Sequence, residues 1–182
     1  MLRRPASIFS QRMETTLKYR KGSYKDLEQL KKLGISSFGR FKPELSTVNW
    51  EKMKASLGND ATYTELLDKA TAFVCTHGAA IVGMAFLVRS GNPTDLYPAD
   101  TSYIRLVGVD PAFGGRGIAK TLTRHCIYHA GSSGEKTIML HTSEMMDAAR
   151  HIYESFGFKK TGEIGPRYGK RYRLYKLDTI LP

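Results

Sequence analysis

The segment that decides the fold covers residues 107–120 and reads Val107-Gly108-Val109-Asp110-Pro111-Ala112-Phe113-Gly114-Gly115-Arg116-Gly117-Ile118-Ala119-Lys120. It predicts a hydrophobic strand that runs into a proline, then a glycine-rich turn, then the first turn of an amphipathic helix. The first N–H groups of a helix have no partners within it, and the helix dipole favours negative charge at that end. Glycines let an anion approach these groups, because no Cβ stands in the way. The segment therefore predicts a socket for a phosphate or pyrophosphate.

The spacing of the glycines excludes two common phosphate-binding loops. The NTPase loop needs G-x-x-x-x-G-K-[ST], and the chain contains no such run. The dinucleotide-binding loop needs G-x-G-x-x-G, but Gly115-Arg116-Gly117 is followed by Ile118-Ala119-Lys120, without a third small residue at the required place. By itself the remaining G-x-G also fits an ordinary tight turn between a strand and a helix.

A second segment, residues 137–158, reads as a strand, a turn and a helix that ends in Gly157-Phe158. Together the two segments resemble the GNAT N-acetyltransferase superfamily, whose acetyl-CoA signature is V-x-P, then [QR]-x-x-G-x-[GA], then A-x-x-x-Y-x-x-x-G-F. The matching letters are Val109, Pro111, Gly117, Ala119, Ala149, Tyr153, Gly157 and Phe158. Two positions depart from the pattern. Gly114 stands where the family usually has Gln or Arg, and Met146 stands where many members have Asn or Arg.

The order of predicted elements indicates an α/β fold, with a mixed, strongly twisted β-sheet flanked by helices. This is also the GNAT-like acyl-CoA N-acyltransferase fold that the resemblance implies. Predicted strands cover 14–21, 71–76, 80–89, 102–109, 137–142, 158–164 and 170–178. Predicted helices cover a segment from 23 or 26 to about Gly34, then 44–57, 62–69, 117–130 and 145–156. The helix at 117–130 should bridge a parallel pair of strands. We expect one domain over residues 14–182, preceded by a disordered leader over residues 1–13.

Composition favours a globular protein that binds no membrane and no metal. The 182 residues are 41% hydrophobic and 10% aromatic, and the longest apolar run, residues 80–88, suits a buried strand rather than a membrane span. Cys75 and Cys126 lie far apart, with no C-x-x-C and no paired histidine spacing, so buried thiols are expected. A reduced, cytoplasmic location fits this cysteine usage.

The charge balance leaves two other function classes open. The chain has 28 basic and 17 acidic residues, for a net charge of +11, which exceeds what one anionic cofactor requires. Residues 167–176 interleave basic and aromatic side chains, as in nucleic-acid binders. Period-2 alternation nevertheless favours a half-buried edge strand, with Arg171, Arg173 and Tyr175 on one face and Tyr172, Leu174 and Lys176 on the other. A nucleic-acid binder and a non-catalytic acyl-CoA sensor remain the alternatives.

The resemblance implies where acetyl-CoA would bind as co-substrate. In the family, pantetheine lies along the strand equivalent to 104–109 and pairs with its backbone like an added strand. The pyrophosphate then meets the N–H groups of residues 114–119, with Lys120 and Arg116 supplying positive charge. The implied cofactor-binding residues are Val107, Gly108, Val109, Gly114, Gly115, Arg116, Gly117, Ile118, Ala119 and Lys120.

The resemblance also assigns catalytic candidates. Tyr153 stands where many family members carry the acid that protonates the leaving thiolate; the alternative is that its ring only packs between helix and sheet. No equally clear base is present, because Tyr103 occupies the strand position where some members have a catalytic Glu. Glu144 and His141 are the candidates for a base that acts through water.

The acceptor is expected to be a primary amine of a small molecule or a protein, used by a monomer or a homodimer. Tyr103 and Arg105 share a strand face beside the acceptor. Arg105 either binds an acidic acceptor group or pairs with a neighbouring carboxylate. Specificity is expected from the early helices and one loop, at Phe38, Phe41, Trp50 and residues 90–101.

Overall fold

The computed structural model describes residues 16–179, in which seven strands form one sheet with helices on both faces. The strands are β1 (Leu17–Lys21), β2 (Ala70–His77), β3 (Ala80–Val88), β4 (Ser102–Val109), β5 (Thr137–Ser143), β6 (Lys159–Arg167) and β7 (Lys170–Asp178). The helices are α1 (Leu27–Gly39), α2 (Thr47–Gly58), α3 (Asp60–Lys69), α4 (Ile118–Ser132) and α5 (Asp147–Ser155). The predicted leader, residues 1–13, lies outside the described residues.

The sheet is mixed, with the strand order β1-β2-β3-β4-β5-β7-β6. Its neighbouring strands are antiparallel except for β4 and β5, which are parallel. Because parallel neighbours need a crossover connection, α4 carries the chain from the end of β4 back to the start of β5. The predicted parallel pair bridged by a helix is thus confirmed.

The last strand of the chain is not the edge of the sheet, so the predicted edge position of residues 170–178 is wrong. β7 lies between β5 and β6, and β6 is the outer strand. The reason is the tight hairpin between β6 and β7, in which Tyr168 and Gly169 have φ values of 52° and 73°. This turn folds β7 back between the other two strands. Tyr172 and Tyr175 are therefore buried, at 5% and 2% exposure.

Apolar side chains form a core on each face of the sheet. On the face covered by α4 and α5, the core includes Ile118, Leu122 and Cys126 of α4, the helix face that the sequence pattern predicts to be buried. On the other face, helices α1 and α3 supply Leu30 and Leu66. Both cysteines are free and buried, as expected. Within residues 16–179, no helix has the length and apolar character that a membrane crossing requires.

Helix α1 continues past Gly34, where the sequence predicts it to end, and runs to Gly39. Gly34 is instead the point where α1 packs against α3. A Cβ on Gly34 would lie 1.9 Å from the hydroxyl oxygen of Tyr63, a side chain that is completely buried. The glycine therefore permits close helix packing rather than a left-handed cap, and the favourable burial of Tyr63 offsets the low helix propensity of glycine.

We predict that Gly34→Ala lowers the free energy of unfolding by roughly 1–3 kcal/mol, because the new methyl group overpacks against Tyr63. Gly39→Ala is the matched control, since its Cβ would lie 3.8 Å from Trp50, an ordinary contact. Denaturant unfolding measures both. The Tyr63 hydroxyl has no hydrogen-bond partner within the described chain. Gly34→Ala should therefore cost less in a Tyr63→Phe background, and equal losses in the two backgrounds would contradict the packing argument.

Candidate active site

The glycine-rich turn leaves the N-terminus of α4 open to solvent. Gly115 and Gly117 both have positive φ, at 74° and 73°, a conformation that side chains other than glycine rarely adopt. Gly117 is the N-cap of α4, and no side chain caps the N–H groups of the first turn. A Cβ on either glycine would meet no atom within 4 Å, and residues 114–117 are exposed. The N–H of Gly114 donates to the carbonyl oxygen of Pro111 at 3.2 Å, and the N–H groups that follow it are unpaired within the described chain and face open space, as an anion socket requires.

The basic side chains beside this turn differ in their contacts. The Arg116 guanidinium lies 4.9 Å from the ring centre of Phe113, a cation–π contact that holds it over the turn. Lys120 is exposed in the first turn of α4 and occurs in no ion pair of the described residues. Both cations are near enough to attract an anionic ligand to the socket.

Strands β4 and β5 part soon after they meet. Their only register pairs are Ser102 with Ile138 and Tyr103 with Met139. Beyond these pairs, the edge of β4 that faces β5 is unpaired, while β5 continues its pairing with β7 as far as Ser143. An opening therefore forms between two adjacent strands in the middle of the sheet.

A bulge in β4 lies at this opening. Met84 of β3 pairs with Gly108 and Phe86 pairs with Arg105, so Ala85 alone faces both Leu106 and Val107. Leu106 has a φ of 48°, which is unusual for a residue with a branched side chain. Bulges redirect the backbone and its polar groups, and strained residues of this kind concentrate at functional sites.

Gly108, one of the implied cofactor-binding residues, lies where α1 packs against β4. A Cβ there would lie 2.7 Å from the Ser37 hydroxyl of α1 and 3.2 Å from Met84. The missing side chain thus makes room for α1 rather than for a ligand, and the bulge is one position earlier, at Leu106 and Val107. The backbone of Gly108 still belongs to the open edge of β4.

The opening continues into a cavity of about 150 Å³. Its walls come from β4, β5, β7, the end of β6 with the turn that follows it, and helices α1, α2, α3 and α5. The lining residues are Phe38, Met53, Ser56, Leu57, Thr62, Ile104, Arg105, Leu106, Val107, Leu140, His141, Thr142, Met146, Tyr153, Arg167, Tyr168 and Tyr172. None of them is acidic.

Tyr153 of α5 lines this cavity and is 6% exposed. Burial raises the pKa of its hydroxyl, which therefore stays protonated at neutral pH. The ring packs edge-on against Phe158, and Gly157 between them has a φ of 91° where α5 ends. The Tyr153 hydroxyl makes no hydrogen bond to any of residues 16–179, so it is available as a donor to a molecule in the cavity.

A second tyrosine, Tyr97, holds His141 in the cavity wall. The Tyr97 hydroxyl lies 2.5 Å from Nδ1 of His141, and the Tyr97 ring stacks on Tyr103 at 4.1 Å. Burial, together with the charges of Arg105 and Arg167, lowers the pKa of His141 to about 3. His141 is therefore neutral at physiological pH. No motif in the sequence points to Tyr97, which lies in the loop over residues 90–101.

The predicted substrate residues Tyr103 and Arg105 have different positions. Tyr103 is buried at 4% exposure, and its hydroxyl donates to the carbonyl oxygen of Asn92 at 3.1 Å. It supports Tyr97 and does not line the cavity. Arg105 does line the cavity. Phe38 also lines it as expected, whereas Phe41 and Trp50 pack in the apolar cluster beside it.

The structure does not bring Glu144 into the cavity. One carboxylate oxygen accepts the backbone N–H of Arg171 at 3.0 Å, and the other accepts Nε of the same residue at 2.8 Å. These bonds lower the pKa of the Glu144 carboxyl. Glu144 is therefore a stabilised anion that extends the contact between β5 and β7, and the geometry does not support the prediction that it acts as a base.

The basic and aromatic residues of β7 serve the fold. Tyr172 and Tyr175 are buried on opposite faces of the strand, so their rings are not free to stack on bases. The cations of the strand pair with acidic side chains: Lys170 with Glu44, Arg171 with Glu144, Arg173 with Glu163 and Lys176 with Asp178. These contacts account for the pattern that the sequence shares with nucleic-acid binders.

The chain matches the acetyltransferase (GNAT) family model over residues 39–158, a span that includes the turn, the opening and Tyr153. The chain belongs to the GNAT acetyltransferase family. The resemblance noted in the sequence is thus confirmed, and so is the predicted GNAT-like fold.

Individual GNAT relatives are similar over parts of their length. The chain is 31% identical to N-acetyltransferase 8B of Rattus norvegicus over 59% of this chain and 48% of that protein. It is 39% identical to N-acetylaspartate synthetase of Danio rerio over 35% of this chain and 23% of that protein. The chain thus spans about half or less of the length of these curated relatives. The PaiA N-acetyltransferase of Thermoplasma acidophilum, solved in complex with coenzyme A, shares the fold with a TM-score of 0.72 at 15% identity, over 89% of this chain and 99% of that one.

We predict that His141 makes the protein less stable in mild acid. Unfolded histidine binds a proton near pH 6.5, whereas folded His141 does so only near pH 3. The unfolded state therefore binds more protons between these values, and stability falls as the pH falls through this range. His141→Gln should remove this dependence. The variant should therefore lose less free energy of unfolding than wild type between pH 7 and pH 5, and the difference should be at most about 2 kcal/mol.

Urea unfolding at pH 7 and pH 5 measures this effect. His151→Gln, on an exposed face of α5, is the control. It should lose as much stability between pH 7 and pH 5 as the wild type does. An identical acid-induced loss in His141→Gln and wild type would contradict the burial of a neutral His141.

Proposed function

We propose that the protein is an N-acetyltransferase that transfers the acetyl group of acetyl-CoA to a primary amine. The observation that carries the proposal is the opening between β4 and β5. It joins an unpaired strand edge and a buried tyrosine at one cavity, and the same strand leads to the uncapped N-terminus of α4. Membership of the GNAT family and the coenzyme A complex of a protein with the same fold support it.

In this proposal, the cofactor lies along β4. Its pyrophosphate accepts hydrogen bonds from N–H groups of residues 114–119, where the helix dipole adds to the attraction. Its pantetheine pairs with the open edge of β4 as an added strand. The thioester then reaches the bulge at Leu106 and Val107, next to Tyr153. Val107 belongs both to the cofactor edge and to the cavity wall, so the acetyl group meets the acceptor there.

The reaction needs a neutral amine and a proton donor for the thiolate. The amine nitrogen attacks the thioester carbon, the C–S bond breaks, and the sulfur leaves with its electron pair. Tyr153 donates a proton to that sulfur, and the proton that the amine nitrogen loses returns through water to the Tyr153 oxygen. A free amine has a pKa near 10, but the cationic side chains of the cavity wall disfavour a second positive charge there. The site thus promotes loss of the amine proton without a carboxylate base.

A thiol-release assay with a panel of amines tests the proposal against the two alternatives. Release of free coenzyme A with an amine excludes a non-catalytic sensor of acyl-CoA. Retention on DNA at physiological salt, without thiol release, would instead favour the nucleic-acid binder.

We predict that Gly117→Val weakens coenzyme A binding at least tenfold, or about 1.4 kcal/mol. The valine side chain would project into the space in front of the N–H donors and would force the turn out of its positive φ. Calorimetric titration with coenzyme A measures the change.

Gly134→Val is the matched control for this substitution. Gly134 follows α4, has a φ of 80° and also has open space in place of a Cβ, so it carries the same backbone strain away from the socket. Both variants should lose comparable stability, but only Gly117→Val should lose affinity. Equal coenzyme A affinity for folded Gly117→Val and wild type would refute the location of the socket.

We predict that Tyr153→Phe lowers kcat at least tenfold and leaves acetyl-CoA binding within about threefold. The hydroxyl acts in the transition state, whereas the ring packing against Phe158 persists in the variant. Tyr63→Phe removes another buried hydroxyl, one outside the cavity and without a hydrogen-bond partner in the described chain, and should leave kcat nearly unchanged. A near-normal kcat in Tyr153→Phe would reject the acid role and leave the cofactor site intact.

A further inference from the structure

Two arginines of the cavity wall have no acidic partner. Arg105 comes from β4 and Arg167 from the end of β6, and both line the cavity. Every ion pair between described residues involves other cations. Since no Asp or Glu lines the cavity, the alternative that Arg105 pairs with a neighbouring carboxylate does not hold within residues 16–179.

The charges of these arginines reach the interior of the cavity. Arg105 and Arg167 both contribute to the lowered pKa of His141, after the larger effect of burial. The same two side chains act on the buried hydroxyl of Tyr97. Both arginines line the same cavity from different strands, Arg105 half-buried and Arg167 exposed, and two positive charges there favour an anion.

A buried hydroxyl that lines the cavity from the other face of β5 also lacks a partner. Thr142 of β5 follows His141, is 2% exposed and lines the cavity. Its Oγ1 makes no hydrogen bond to any described residue. Because buried polar atoms are nearly always paired, a ligand oxygen that accepts from Thr142 would satisfy it.

The cofactor does not account for these groups. The pyrophosphate is assigned to residues 114–119, none of which lines the cavity. The acetyl thioester that would reach the cavity carries no charge. The anion that Arg105 and Arg167 favour therefore belongs to the acceptor.

The rest of the wall facing the acceptor is largely apolar. It comes from helices α1 and α2, the start of α5 and the turn between β6 and β7. The apolar and aromatic residues of this part are Phe38, Met53, Leu57, Met146 and Tyr168. A cavity of about 150 Å³ with such walls suits one small apolar group beside the anion.

We propose that the acceptor is a free amino acid with an apolar side chain, whose carboxylate is bound by Arg105 and Arg167. The inference rests on the proposed function and names its substrate class. The apolar wall receives the side chain. The amine nitrogen then forms the new amide bond to the acetyl carbon while coenzyme A leaves as the thiol. A peptide N-terminus lacks the adjacent carboxylate and is disfavoured.

The test compares amino acids with their carboxamides, using full-length protein and the thiol-release assay. The probes are L-leucine, L-methionine and L-phenylalanine, each beside the amide that lacks the negative charge. Wild type should prefer at least one acid over its amide at least tenfold in kcat/KM. Arg105→Gln and Arg167→Gln should each lower kcat/KM for that acid at least tenfold and for the amide less than threefold. Acetyl-CoA affinity should stay within threefold.

Arg171→Gln is the matched control. Arg171 lies on β7 outside the cavity and pairs with Glu144, so its loss should leave the preference for the acid unchanged. Arg105→Lys and Arg167→Lys keep the charge and should retain more of that preference than the glutamine variants do. The lysine variants also test the proposal if a glutamine variant fails to fold.

Three results would overturn the inference. The first is equal use of acids and amides by wild type, and the second is an equal loss for both in the arginine variants. The third is turnover of amines without a carboxylate when none of the amino acids reacts. If coenzyme A binds but no amine of any kind releases thiol, the proposed function fails as well.

Discussion

The parting of β4 from β5 is the constraint on which the rest of the site depends. Two register pairs, Ser102 with Ile138 and Tyr103 with Met139, hold the strands together at one end. Beyond them, the bulge at Leu106 and Val107 turns β4, while β5 follows its antiparallel partner β7. A continuous sheet would pair every backbone group between the two strands. The opening leaves one edge of β4 free for a ligand. It also creates a cavity at a place from which a continuous sheet would exclude water.

Elements on both faces of the sheet keep this opening in place. On one face, α4 packs on β3 and β4 and presents its N-terminus just after β4 ends. On the other face, α1 lies close against β4, because Gly108 leaves room for Ser37. The β6–β7 hairpin turn then closes the cavity wall with Arg167 and Tyr168. The proposed cofactor socket and the proposed acceptor cavity are thus built by different elements that meet at Val107.

Much of the fold could be predicted from local sequence patterns. The glycine turn, the apolar stripe of α4 and the alternating strands are short-range signals, and they located the crossover between β4 and β5 correctly. Gly34 was misinterpreted because its role depends on Tyr63, which lies in a different helix. The position of β7 was also missed, since period-2 alternation does not distinguish an edge strand from an inner one when both faces carry mixed side chains.

Only those parts of the candidate site that belong to local sequence motifs could be predicted. The turn with Gly117 and the helix position of Tyr153 follow from motifs, so they could be named in advance. Glu144 was chosen for its place after β5, but its carboxylate binds Arg171, a contact between residues far apart in sequence. Tyr97 comes from a loop without any motif, and Arg167 ends β6 within a segment whose pattern is typical of nucleic-acid binders. Only the folded chain brings them to Arg105 and His141.

A crystal structure of the protein with acetyl-CoA would test the central claim most directly. The account predicts that the pyrophosphate accepts hydrogen bonds from N–H groups of residues 114–119 and that pantetheine lies along the open edge of β4. The thioester should end between Leu106 and the Tyr153 hydroxyl. A cofactor whose pyrophosphate lies elsewhere, or whose thioester stays outside the opening between β4 and β5, would contradict the account.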